Sequence, residues 1–205
     1  MQGLRDSWRL LTASANEQRA QECFNEIVAA YSRPSRRYHN LDHITEMLQL
    51  SQQFKLSSRE VVDFAIFYHD VVYKVPALDN EHKSAVMAAD RLAKLNVPLP
   101  VIEDVCLFIE ATKTHELAAA RNLDDLKLFL DFDLSILAAD WPVYELYLQS
   151  IRKEYRFYPD LLYYPGRKSF LENMLAKEHI YHTETFRTSH EAKARQNMQR
   201  ELDIY

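Results

Sequence analysis

Within Phe67-Tyr68-His69-Asp70-Val71-Val72, an imidazole and a carboxylate stand side by side in the most apolar stretch of the chain. A carboxylate taken out of water without a partner carries a heavy free-energy penalty, so a buried acid is paired or bound to a metal. Neutral imidazole and carboxylate both suit divalent first-row metals. Three other stretches hold polar residues that core packing does not ask for. Tyr38-His39-Asn40-Leu41-Asp42-His43-Ile44 carries two histidines four apart, on one helical face if the helix starts early enough. Leu130-Asp131-Phe132-Asp133-Leu134 sets two acids in an apolar run, and Thr112-Lys113-Thr114-His115 follows another. Each motif alone has a structural explanation: a hydrogen-bonded core imidazole, a helix-start acid or a solvated charge. The combination of a His-Asp pair, a histidine 26 residues earlier and an aspartate about 60 later points instead to a bound metal.

Helices must position these groups. Apolar residues recur with helical period nearly throughout, and no clean alternating strand pattern occurs. Cys23, Phe24, Ile27, Val28 and Tyr31 form a stripe over residues 15–31 that ends near Pro34. Ile44, Met47 and Leu48 share a face over residues 39–53. Ser57 or Ser58 is the expected cap of a helix over 61–72 that is apolar nearly all round, which marks a central helix. Further helices are predicted over 80–95, 100–111, 123–138, 141–157, 167–178 and 184–202. The expected architecture is all-α: one domain over 1–205, a bundle of about nine helices with its core in 15–180 and the 184–202 helix packed on it. The N-terminal end around Gly3 is expected to fray.

Composition limits what these helices can serve. The 205 residues include only two glycines, where average usage would give about fourteen. No Gly-rich loop can cradle a nucleotide phosphate with successive backbone amides. A net charge of -5 argues against non-specific binding to nucleic acid or anionic membranes. Two cysteines, Cys23 and Cys106, lie in apolar helical stretches and are expected to be free thiols of a reducing cytoplasm. No leader-like or membrane-spanning apolar run occurs, and a cytoplasmic location is expected.

The order His…His-Asp…Asp in an all-α chain resembles the HD-domain superfamily of metal-dependent phosphohydrolases. The strings YHNLDHI, FYHDVVY, DNEHKSA, TKTH and DFDLSIL are similar to one bacterial branch of it. So are Arg152-Lys153-Glu154-Tyr155, Tyr164-Pro165-Gly166-Arg167-Lys168 and the segment Glu191–Asn197, so that the likeness covers residues 15–202. The resemblance implies a ligand set of His43, His69, Asp70 and Asp133 for one divalent ion per chain. Mn, Fe, Zn, Co, Ni and Mg are not distinguished. His43 is preferred to His39 as first ligand because it opens the apolar run Ile44, Met47, Leu48.

The resemblance further implies hydrolysis of a small phosphorylated metabolite, with a nucleotide as the expected substrate, by a metal-activated water. Asp70 and Glu81 are the candidate catalytic carboxylates, with Glu81 as general acid or base or, equally, a first-turn acid beside the helix dipole. Arg36, Arg37, Lys74, Lys113, Arg152 and Arg167 are candidate cations for the phosphate, with Arg36, Arg37 and Lys113 preferred. His39 and His115 are candidate phosphate contacts. His82 and His115 are candidates for a second metal. Tyr38, Tyr68 and Tyr73 either line a base-stacking pocket or pack in the core, and Tyr73 is carried as a substrate contact. Gly166 is expected to form a turn or helix cap just before a helix. A homodimer is among the expected partners. The alternatives are a catalytically silent nucleotide-binding HD module, a di-iron HD-type oxygenase, and a scaffold that docks a partner through 184–202.

Overall fold

The computed structural model describes residues 1–117 and 119–205. About 69% of the chain is helical, and there is no strand among the described residues. The expected all-α class is met, and the described residues hold ten helices, with the continuous stretch 184–202 counted as one, where about nine were expected. Two compact units divide the chain, Met1–Phe129 and Leu130–Tyr205.

The first unit holds α1 (Gln2–Leu11), α2 (Glu17–Tyr31), α3 (Leu41–Ser51), α4 (Arg59–Tyr68), α5 (Asn80–Lys94), α6 (Leu99–Ala111) and the first part of α7 (Leu123–Asp133). Its centre is α4. Val61, Val62, Phe64, Ala65, Ile66, Phe67 and Tyr68 are all buried there, as an all-round apolar helix requires. Helices α1, α3, α5 and α6 pack around it. The cap of α4 is a long-range one. Ser58 makes no side-chain cap bond, and the buried Asp125 carboxylate accepts the amides of Ser57 (3.0 Å) and Ser58 (2.6 Å) instead.

Two differences from the sequence reading lie in this unit. Residues 2–11 form a helix where fraying was expected. Leu4 and Trp8 are buried, and the Trp8 indole meets Phe24, Phe64, Phe67 and Tyr68 while its Nε1–H donates to the Ala20 carbonyl at 2.8 Å. The single large aromatic supplies the burial that periodicity over so short a segment does not advertise. The second difference is that α4 stops at Tyr68, not Val72. The His-Asp pair therefore stands at the helix end, where backbone carbonyls are free to take other partners.

The second unit begins with the last residues of α7 and a 3₁₀ turn, Leu134–Ala138. Then come α8 (Trp141–Glu154), α9 (Asp160–Ala176), α10 (Glu184–Phe186) and α11 (Ala192–Leu202), the last two joined by a π-helical turn, Arg187–Glu191. The expected start of α9 at 167 and the cap role of Gly166 are corrected: Pro165 and Gly166 lie inside the helix. Tyr163, Leu171 and Met174 are buried at helical spacing and hold its inner face. The carbonyl of Leu161, which loses its amide partner to Pro165, belongs to an exposed residue and can turn to water. Arg167 and Glu201 form a buried ion pair (2.7 Å) that Tyr144 and Tyr205 complete by donating their hydroxyls to Glu201. Asp131, also buried, accepts from the amides of His182 (2.7 Å) and Thr183 (2.9 Å) and from the Thr183 hydroxyl (2.6 Å).

Candidate metal centre

His43 rides on α3, whose start is fixed by Asn40. The Asn40 side chain accepts the amides of Asp42 (2.8 Å) and His43 (3.4 Å), an N-cap that places His43 on the inner face of the first turn. His69 follows directly on α4 and is buried, and Asp70 comes next, half-buried. The two imidazole Nε2 atoms lie 3.3 Å apart, and His69 Nε2 is 3.3 Å from Asp70 Oδ2. Among the described residues these three form the only group of three or more potential ligands, with their ligand atoms within 4.8 Å of one another.

The hydrogen bond on the far side of His69 decides what these atoms can do. His69 Nδ1 is 3.0 Å from the Ile66 carbonyl oxygen. A carbonyl only accepts, so Nδ1 carries the proton and the neutral ring presents a bare Nε2 lone pair to its neighbours. That lone pair faces a second imidazole nitrogen and a carboxylate oxygen. With His43 in the tautomer protonated at Nδ1, all three are acceptors, and a cation among them relieves their repulsion. Metal-binding histidines are held in this way, the other ring nitrogen donating to a carbonyl or carboxylate. The spacing agrees as well. Two donor atoms on one ion, with bonds of about 2.1 Å in tetrahedral or octahedral arrangement, lie about 3.0–3.4 Å apart. The three residues fit a divalent metal.

The turn that follows is strapped down by side chains from other elements. The Asp70 amide donates to the Tyr31 hydroxyl at 3.1 Å. Ser84 exchanges two bonds with Val72, accepting its amide (3.0 Å) and donating to its carbonyl (3.1 Å). Asn80 does the same for Lys74, at 3.0 and 3.3 Å. Tyr31, Ser84 and Asn80 were not among the residues singled out by chemistry. Ser84 and Asn80 stand in the string DNEHKSA, but no role was assigned to them; they are the polar positions on the buried stripe of α5 that Ala85, Ala88 and Leu92 complete.

The remaining candidates are spread around this centre. His39 stacks on Tyr73 (4.3 Å between centroids) and its Nε2 is 4.0 Å from Asp70 Oδ2. Both rings are half-buried, so they border the three ligands. Tyr38 packs against His39 and His43. Tyr68 is core: it is fully buried, and burial pushes its hydroxyl well above its ordinary value. Glu81 is half-buried in the first turn of α5, and Arg37, Lys74 and Lys113 are exposed. His115, half-buried, takes a left-handed backbone (φ 52°) just past α6.

The other candidates are engaged elsewhere in the chain. Arg36, a candidate phosphate cation, is buried, and its guanidinium is bonded to backbone carbonyls of the chain itself. His82 Nδ1 is paired with Glu110 Oε1 at 2.7 Å on the exposed side of α5 and α6. Neither His82 nor His115 joins a group of three potential ligands among the described residues. In the second unit, Arg167 is taken up by Glu201, and Arg152 by Asp160 and the carbonyls of Tyr155 and Tyr158. Asp133 is the half-buried last residue of α7.

No family model, characterised protein or solved structure matches the chain. The described residues contain no helix long and apolar enough to cross a membrane.

Proposed function

We propose that the protein is a metal-dependent phosphohydrolase acting on a small phosphorylated metabolite such as a nucleotide, with His43, His69 and Asp70 holding one divalent ion. The observation that carries this reading is the His69 hydrogen bond to Ile66, which commits the Nε2 lone pair to the same space as His43 Nε2 and the Asp70 carboxylate. The likeness of the ordered motifs to HD-domain phosphohydrolases supports the reaction class and adds Asp133 as a further ligand. Bound among such ligands, a divalent ion supplies Lewis acidity towards a phosphoryl oxygen and acidifies water.

The chain's own groups have the remaining tasks. His39 stands beside Asp70 and is held upright by the Tyr73 ring, a position suited to donating a hydrogen bond to a phosphate oxygen. Arg37 and Lys113, both exposed, are the cations proposed to meet a phosphate, and Glu81 is the proposed proton carrier for the leaving group. A neutral-to-acidic surface leaves specificity for small anions to such local groups, not to a broad positive field.

The test is phosphate release from a panel of nucleotides and sugar phosphates by metal-loaded protein, beside Asp70→Asn. Metal-dependent release by wild type and a loss of at least about 100-fold in the variant are expected. Equal rates for the two proteins contradict the reading. Two irons per chain with oxygen uptake would replace it by the oxygenase alternative. Asp133→Asn, assayed for metal content, tests the fourth ligand separately.

A further inference from the structure

Arg36 lies two residues before Tyr38 in the segment that leads into α3, yet its side chain serves the end of α4. Its Nη1 donates to the carbonyls of Asp70 (2.6 Å) and His39 (3.1 Å), and its Nη2 donates to the carbonyl of Val71 (3.0 Å). The guanidinium carbon sits 4.8 Å from the Tyr31 ring centroid and 5.3 Å from that of Tyr73. The residue is 5% exposed, and its Nε has no hydrogen-bond partner. None of its bonds is to a carboxylate.

This is an expensive arrangement for a surface-type cation. A guanidinium taken out of water must recover its hydration from local acceptors. Here it does so with three carbonyls and two aromatic faces. Two of those carbonyls belong to the turn just beyond α4, where the helix dipole favours positive charge. The third belongs to His39, in the loop that carries the first ligand helix. One planar group therefore ties the segment before His43 to the segment that contains Asp70. A lysine ammonium reaches one such carbonyl well, but it cannot present parallel donors to a row of them.

We infer that Arg36 is a positioning residue of the metal centre: by clamping the His39, Asp70 and Val71 carbonyls it sets the Asp70 carboxylate and the His43 helix at ligand spacing. The inference rests on the metal reading of His43, His69 and Asp70. It assigns Arg36 a task other than touching substrate. Tyr31, whose ring lies against the guanidinium, assists through the bond from the Asp70 amide.

Metal affinity separates this role from general bracing of the fold. Titration of the full-length protein with Co²⁺ gives a dissociation constant and a visible spectrum that reports ligand geometry. Wild type, Arg36→Lys, Tyr31→Phe and Asp125→Ala are compared at equal fraction folded, set by circular dichroism. Asp125→Ala loosens the far end of α4 and has no contact with the turn. Removing a group that orients ligands costs about 10–100-fold in metal affinity. Arg36→Lys is expected to show that loss with a changed Co²⁺ spectrum, and Tyr31→Phe a smaller loss. Asp125→Ala is expected to keep wild-type affinity and spectrum. The inference is overturned if folded Arg36→Lys binds within twofold of wild type with the same spectrum. It is also overturned if Asp125→Ala loses affinity to the same degree. Should Arg36→Lys fail to fold, an unchanged Tyr31→Phe overturns it. Wild type that binds no Co²⁺ overturns the metal reading itself, which the variants alone do not do.

Discussion

At the scale of residues, the question is which atoms are left facing one another once the obligatory hydrogen bonds are made. His69 donates its Nδ1–H to the Ile66 carbonyl, and Nε2 points at His43 and Asp70. His39, although only four positions from His43, approaches through Asp70 at 4.0 Å and lies outside the group of three ligands. The two histidines should therefore differ in their effect. His43→Ala is expected to lower metal affinity by at least about 100-fold, while His39→Ala keeps affinity within about tenfold and raises KM for a phosphorylated substrate. Calorimetric titration and steady-state kinetics read the two effects, and a reversed pattern would make His39 the ligand. Much of this centre was legible in the sequence, because a carboxylate and imidazoles inside apolar runs violate the packing rule and so draw attention. The supports were not. Tyr31 reads as one more core aromatic, Ser84 as a helix residue and Arg36 as a solvated cation, and only the fold reveals that each bonds the backbone between Asp70 and Val72.

At the scale of elements, helical period made every helix after α1 readable, and the differences come from forces that period does not encode. The α1 helix exists because Trp8 finds an aromatic pocket, and α4 ends early because side chains capture the carbonyls of Asp70, Val71 and Val72. The N-terminal cap of α4 comes from Asp125, 67 positions from Ser58, so no local signal announces it. Asp125→Ala is expected to cost about 1–3 kcal/mol in urea unfolding, because two amides at a helix start lose a charged acceptor. A cost below about 0.5 kcal/mol would mean that water replaces it. Helix α9 supplies the opposite sign. Gly166 is exposed inside the helix, and a Cβ there would meet nothing within 4 Å. Gly166→Ala should therefore stabilise the protein by about 0.5–1 kcal/mol, read as a rise in thermal midpoint. A destabilised variant would show that the backbone there departs from helix.

At the scale of the whole molecule, the shortage of glycine and the acidic balance act together. A chain with two glycines and a net charge of -5 is poorly suited to a glycine-rich phosphate cradle or to a broad attraction for anions. Several cations that might have served are occupied inside the fold. Arg167 balances Glu201, Arg152 closes on Asp160, and Arg195 bonds Glu191 and the carbonyls of Leu175, Lys177 and Glu178. A metal ion held by His43, His69 and Asp70 would concentrate positive charge at one point of such a molecule. Direct measurement of metal stoichiometry tests this most simply. Wild type and His69→Ala, stripped with chelator and titrated with Mn²⁺, Co²⁺ and Zn²⁺ by calorimetry, should differ sharply. The expected result is one divalent ion per wild-type chain and an affinity at least about 100-fold weaker in His69→Ala. Wild type that binds none of the three ions, or a variant that binds them as tightly, would contradict the account.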